Sequence, residues 1–125
     1  MIKKKVEELK DIIDILVVNT VKDIDTFSIM TAEEIMDSAN KKDNMMKEFV
    51  IVKSELDVLL SMKTKEEIYK YESSFIDLEE KMMNFKIQNR KLLLMTIPIQ
   101  EMYDDMYSRL KQSNNIKTNT INTSV

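Results

Sequence analysis

The chain has 125 residues and a net charge of −3, from 19 basic and 22 acidic residues, with one proline and no Gly, Cys, His or Trp. The missing glycines argue against a β-sandwich, a phosphate-binding loop and a dinucleotide fingerprint, and the missing His and Cys argue against Ser-His or Cys-His catalysis and an ordinary zinc site. We therefore expect one helical unit that is not an enzyme and holds no metal or cofactor. Nucleic-acid binding favours a clearly basic face, so with this net charge we also expect no nucleic-acid partner.

Two capping motifs divide the chain into helices. Thr31 and Thr64 are each followed three residues later by a glutamate, Glu34 and Glu67. This is the capping-box spacing, in which the Thr oxygen accepts a hydrogen bond from a free backbone N–H of the first helical turn. The motifs predict three helices, at about residues 2–28, 32–62 and 65–111.

The first two predicted helices carry apolar stripes at helical spacing. In the first helix the stripe begins at Ile2, Val6, Leu9, Ile13 and Leu16 and then drifts to Val17, Val21, Ile24 and Phe27 or Ser28. In the second helix it comprises Ile35, Ala39, Met46, Phe49, Leu56 and Leu60, broadened by Met45, Val52 and Leu59. Lys42 and Lys53 interrupt this second stripe, and all of the apolar positions are predicted to form the core.

The third predicted helix has the most regular pattern, an unbroken 3,4 repeat from Ile68 to Leu110. Only Asn89 and Thr96 are polar within this repeat. A polar residue at a core position of a coiled coil fixes register at some cost in stability. We therefore predict that Asn89 and Thr96 are polar core residues and that Asn89 fixes register, with ligand binding as the alternative.

Short connections between the predicted helices favour antiparallel neighbours. The expected fold class is all-α, an elongated antiparallel three-helix bundle or coiled coil that forms a single domain over residues 1–111. Residues 112–125 are rich in Asn, Thr and Ser and have no apolar period, so a disordered polar tail is expected there.

The third helix is longer than its predicted partners. At 1.5 Å per residue the first two helices would each be roughly 40–45 Å long and the third roughly 70 Å, so about a third of it should overhang, fold back or bind another chain. Pro98 falls near the point beyond which the two shorter helices would no longer reach along the third. Because proline cannot donate to the carbonyl of Leu94 and crowds that turn, we expect a kink or a break nearby.

An amphipathic segment surrounds and follows Pro98. Its apolar residues lie at spacings typical of a helix that docks in a groove, and Met and Tyr suit an adaptable binding surface. We predict that the segment binds a partner through Leu94, Ile99, Met102, Tyr103, Met106, Tyr107 and Leu110. The alternative is that it only completes the bundle or a homodimer.

The sequence also predicts a cytoplasmic protein without a membrane span. The longest uncharged run inside the helical part, Leu92 to Gln100, is about half of the roughly 20 residues that a span needs. After the basic start of the chain, charged residues interrupt any apolar stretch of a signal peptide: Glu7, Glu8, Lys10, Asp11 and Asp14. The absence of Cys gives no sign of an oxidising compartment.

The late part of the third helix carries a family resemblance. The stretch from Leu78 to Leu94, LEEKMMNFKIQNRKLLL, followed by an amphipathic helix, resembles the late region of FlgN/FliT-type flagellar export chaperones. The shared feature is an Asn-Arg/Lys-rich turn followed by paired Leu residues. Residues 31–60 are similar to the second helix of that family, with an acidic start leading into Lys/Glu-rich turns and Leu pairs. Pro98 is a departure from the family pattern.

The resemblance implies a small cytosolic chaperone that holds one or two filament or hook-junction subunits before export. It would bind the amphipathic C-terminal helices of these subunits through its own late helix, with no cofactor and no ATP of its own. Two alternatives remain open: a structural coiled-coil scaffold that forms a homodimer, and a small helical regulator that binds a partner helix.

Overall fold

Helices account for nearly all of the described chain. The computed structural model describes the backbone of residues 1–124 and the side chains of residues 1–112. Within that part of the chain the elements are α1 (Ile2–Thr26), a 3₁₀ turn (Phe27–Ile29), α2 (Ala32–Ser61), α3 (Lys65–Tyr69) and α4 (Glu72–Ser124), with no strand. The predicted all-α helical bundle is confirmed.

Both predicted capping threonines begin helices. The Oγ1 of Thr31 accepts a hydrogen bond from the N–H of Glu34 at 3.1 Å, and the Oγ1 of Thr64 accepts one from the N–H of Glu67 at 3.2 Å. Each bond satisfies a backbone donor that the first helical turn leaves free. The capping motifs therefore determine where α2 and α3 begin.

The predicted third helix is divided in the structure. It begins as the short α3, and α4 starts after a tight turn in which the N–H of Tyr71 donates to the carbonyl oxygen of Ile68 at 3.0 Å. No glycine or proline occurs at this turn, so the apolar repeat of the sequence did not predict a division of the helix here. The expected end near Lys111 is also not observed, because α4 extends to Ser124, and residues 112–124 contain no helix breaker. Of the predicted disordered tail, Val125 lies outside the described residues.

The apolar core lies within residues 1–92. Six side chains of α1 are buried in it: Ile2, Val6, Leu9, Ile12, Ile13 and Leu16. Phe49, Val52 and Leu56 of α2 and Leu78 of α4 complete the buried cluster, and Tyr71, Phe75 and Phe85 pack against it. The cluster joins α1, α2 and the beginning of α4.

The predicted drift of the α1 stripe is observed only in part, since Val17, Ile24 and Phe27 are half-buried. The buried positions continue from Leu16 to Thr20 and Asp23, while Val21 remains 38% exposed. The hydroxyl of Thr20 donates to the carbonyl oxygen of Leu16 at 2.7 Å, which satisfies the buried polar group. The 3,4 repeat of α1 thus continues unchanged through polar residues.

A polar cluster lies near the C-terminal end of α1, where α1 contacts α2. Lys42 Nζ lies 2.7 Å from Asp23 Oδ2, and the two side chains are only 10% and 12% exposed. The hydroxyl of Ser38 donates to the same carboxylate oxygen. Lys42 was expected to interrupt the α2 stripe, but it lies in the buried face because Asp23 and Ser38 provide its polar surroundings.

Ion pairs show the directions of the helices within residues 1–92. Lys5 pairs with Glu55, and Asp23 pairs with Lys42, so α1 and α2 are antiparallel. Along the first part of α4, Lys10 pairs with Asp77 at 3.0 Å, and Asp14 pairs with Lys81 at 2.7 Å. These two pairs advance together along both helices, so the beginning of α4 runs in the same direction as α1.

The pair between Lys10 and Asp77 is expected to show in an acid titration. The hydrogen bond from Lys10 holds the pKa of Asp77 below its ordinary value. A depressed carboxyl pKa contributes stability above the pKa of the unfolded chain, and this contribution is lost as pH falls through the folded-state pKa. We expect Lys10→Gln to raise the pKa of Asp77, measured by NMR titration of the carboxyl carbon. The same change at exposed Lys3 should leave it unmoved, and an unmoved pKa in Lys10→Gln would show that the pair does not form.

The chain divides into two compact units, residues 1–92 and a second unit that begins at Leu93. Pro98 lies inside α4, in the second unit. The predicted kink near this residue stays a prediction.

Candidate partner-binding surface

Six apolar side chains of the second unit lie on one side of α4, a set that we call the α4 face: Ile99, Met102, Tyr103, Met106, Tyr107 and Leu110. They occur at offsets of 0, 3, 4, 7, 8 and 11 residues. Because successive residues of an α-helix are about 100° apart, the set occupies an arc of roughly 140°. The regular helix therefore places six of the seven predicted binding residues together.

The α4 face is largely exposed. The exposed fraction of its side chains ranges from 51% for Met106 to 70% for Tyr107, and Ile99 is half-buried. Single exposed apolar residues are normal on protein surfaces. A contiguous apolar patch is different, because patches of this kind are typical of interaction sites.

Leu94 does not belong to the α4 face. It is 55% exposed, but it lies five residues before Ile99, which places it about 140° away around the helix. Leu94 is thus on the side of α4 that also carries Glu101 and Ser108. A binding role for Leu94 stays a prediction, and it would require a contact on this other side of the helix.

Polar residues occupy the opposite side of this part of α4. Glu101, Asp104 and Ser108 are exposed there. Arg109 Nε lies 3.2 Å from Asp105 Oδ2, one helical turn away, and their side chains are 78% and 61% exposed. An exposed pair of this kind contributes little to stability. The polar residues of this segment are therefore solvated, and the apolar α4 face is what distinguishes the segment.

The two predicted polar core residues have different surroundings. Asn89 is exposed, whereas Gln88, three residues after Phe85, is half-buried. Asn89 is therefore not a core residue of the bundle, and a register role for it would require another chain. A 3,4 repeat permits a step of three residues from Phe85 to Gln88 or of four residues to Asn89, so the pattern alone did not show which of the two is buried. Thr96 is half-buried, and its hydroxyl donates to the carbonyl oxygen of Leu93 at 2.6 Å.

The buried pair of Asp23 and Lys42 is the polar feature that sequence analysis missed. Its signal was present, since Asp23 continues the 3,4 repeat of α1 and Lys42 lies seven residues before Phe49 in α2. In residues 1–112 no group of three acidic side chains converges to hold a metal ion. Across the described helices, none combines the length and hydropathy required to cross a membrane.

Comparison of the whole chain with protein-family models, curated proteins and solved structures found no match.

Proposed function

We propose that the α4 face binds an amphipathic helix of another protein and keeps that helix from assembling elsewhere. In its specific form, the protein is a cytoplasmic FlgN/FliT-type flagellar export chaperone, and the helix belongs to a hook-filament junction or filament subunit. The observation that carries the proposal is the exposure of five of the six apolar side chains that share this face. The sequence resemblance of residues 78–94 supports the specific form.

Binding would replace water on the α4 face with the apolar side of the partner helix. Complete burial of a large apolar side chain contributes about 1.5–3 kcal/mol, and association itself costs at least about 4 kcal/mol. Because the six side chains are already partly buried in the free chain, the net gain is on the order of a few kcal/mol, which favours a weak complex. Such a complex is reversible, as a chaperone that must release its subunit for export requires.

The composition of the face suits this role. Met102 and Met106 have flexible side chains that adapt to differently shaped partners. Tyr103 and Tyr107 provide large contact areas, and the hydroxyl of Tyr107, at the edge of the face, remains accessible to water. The proposed activity is binding alone, without a catalytic step or cofactor.

A charge placed on the α4 face is expected to abolish partner binding. Met106→Glu would bury a carboxylate in the apolar contact, and burial of an unpaired charge is costly. With the C-terminal helical segment of a hook-filament junction subunit as the probe, we expect the dissociation constant to rise by about 100-fold or more in calorimetry. Circular dichroism should show unchanged helicity.

Ser108→Glu is the matched control, because it introduces the same side chain on the opposite side of the same helical turns. This variant should bind as the unmodified chain does. Equal binding by all three proteins would contradict the proposal. A stable dimer that binds no subunit and that Met106→Glu dissociates would instead identify a structural coiled coil, and light scattering measures this state.

A further inference from the structure

The α4 face is wider than the contact surface of a helix with one partner. A helix that packs along a single neighbour presents a narrow seam, with two apolar positions in every seven. On α4, Met102 and Tyr107 extend the face on either side of its central line at Ile99, Tyr103, Met106 and Leu110. These two marginal side chains are 53% and 70% exposed, and one helix seated on the central line would leave much of their surface in water.

Helix α1 shows how a face of this width becomes buried. Starting from Leu9, the same six offsets identify Leu9, Ile12, Ile13, Leu16, Val17 and Thr20. Five of these residues are at most 7% exposed, and Val17 is half-buried. Two helices flank α1, since Asp23 is paired with Lys42 of α2 and Lys10 with Asp77 of α4. An arc of roughly 140° is thus the contact surface of a helix packed between two others.

From this match we infer that the α4 face receives two antiparallel helices of one partner protein, a helical hairpin, and completes a three-helix bundle with them. The inference rests on the proposed function and specifies its partner. One partner helix would pack on the side of Met102 and the other on the side of Tyr107, with Tyr103 and Met106 between them.

The lack of opposite charges beside the α4 face argues against further copies of this chain as the occupant. In coiled coils of identical chains, opposite charges at the flanking positions set the pairing. The flanking positions here are Gln100, Met102, Tyr107 and Arg109, and only Arg109 is charged, so two copies would bring no opposite charges together at these positions. A second copy that paired through its own α4 face would also supply only one helix. A parallel trimer would supply two, but it would bring three Tyr103 rings to one central layer, where each hydroxyl would need a buried partner.

Site-directed photo-crosslinking tests the inference with the full chain. The photoreactive amino acid benzoylphenylalanine is introduced at Met102, at Tyr107 or at Tyr103, and the chain is irradiated in its native cells. Adducts are then mapped by mass spectrometry. We expect positions 102 and 107 to label two segments of the same partner that are joined by a turn, and Tyr103 to label either. Benzoylphenylalanine at Ser108, on the opposite side, should label neither.

Different results would overturn different parts of the proposal. If positions 102 and 107 label a single helical segment, or if position 103 alone forms an adduct, the hairpin is wrong while partner binding stands. Adducts with a second copy of this chain would also overturn the hairpin. If none of the three positions forms an adduct, the proposed function fails together with the inference. Unchanged circular dichroism and melting of each labelled chain show that the label itself does not disturb the fold.

Discussion

Replacement of Ile13 by Ala is expected to lower the free energy of unfolding by about 2–5 kcal/mol. Ile13 is 2% exposed and belongs to the cluster that joins α1, α2 and the beginning of α4. The substitution removes buried methyl and methylene groups and leaves a cavity that the neighbouring side chains fill only in part. Because small domains are stable by only about 5–15 kcal/mol, a loss of this size should be obvious in urea unfolding followed by circular dichroism.

Ile15→Ala is the matched control for this experiment, since it makes the same change two residues away on the same helix. Ile15 is 51% exposed, and Ala has the higher helix propensity. We expect its free energy of unfolding to stay within about 0.5 kcal/mol of that of the unmodified chain. Equal losses in the two variants would mean that α1 does not bury the face that contains Ile13.

The comparison of Ile13 with Ile15 shows why part of the fold can be read from sequence. In the first half of α1 none of the polar residues is buried, so hydrophobic periodicity identifies Ile2, Val6, Leu9 and Leu16 correctly. The capping threonines act within one helical turn, and their effect is equally local. Local patterns therefore predicted where α2 and α3 begin and which face of α1 is buried.

Beyond Leu16, hydrophobicity alone misleads. It favoured Val21, which is exposed, over Asp23, which is buried. Burial of Asp23 depends on Lys42, which lies on another helix and 19 positions later in the sequence. Sequence periodicity within one helix contains no information about such a partner, so the polar end of the core could not be predicted from the stripe.

The candidate site was predictable to the extent that it follows helical geometry. Six of its residues share a face because their spacing requires it once the segment is helical. Leu94 was grouped with them because apolar character was counted without its angle around the helix. The width of the face can be calculated from the sequence. Its interpretation as a contact with two helices came from α1, where residues at the same offsets are buried between two neighbouring helices.

The polar cluster of Asp23, Ser38 and Lys42 gives the second large expected effect. Lys42→Met should lower the free energy of unfolding by about 3 kcal/mol, because it leaves the largely buried carboxylate of Asp23 without its cation. The hydroxyl of Ser38 would remain as a hydrogen-bond donor, but it carries no charge to balance the carboxylate. Urea unfolding at neutral pH provides the measurement.

Lys63→Met is the matched control, since Lys63 makes the same type of pair, with Glu67 at 3.8 Å, but the two side chains are 46% and 49% exposed. An exposed pair contributes at most about 1 kcal/mol, so this variant should be nearly as stable as the unmodified chain. A loss as large as that of Lys42→Met would show that the burial of the Asp23 pair is not the cause.

The double variant Asp23→Leu with Lys42→Met separates the cost of an unpaired charge from the value of the pair itself. Apolar side chains of similar size often replace a buried ion pair with no loss of stability, or with a gain of about 1–4 kcal/mol. We therefore expect the double variant to recover the stability that Lys42→Met loses. A double variant that is less stable than Lys42→Met would show that the pair is a net source of stability. Recovery would leave specificity as the role of the pair, because a single buried charge on each helix penalises any register of α1 against α2 that separates Asp23 from Lys42.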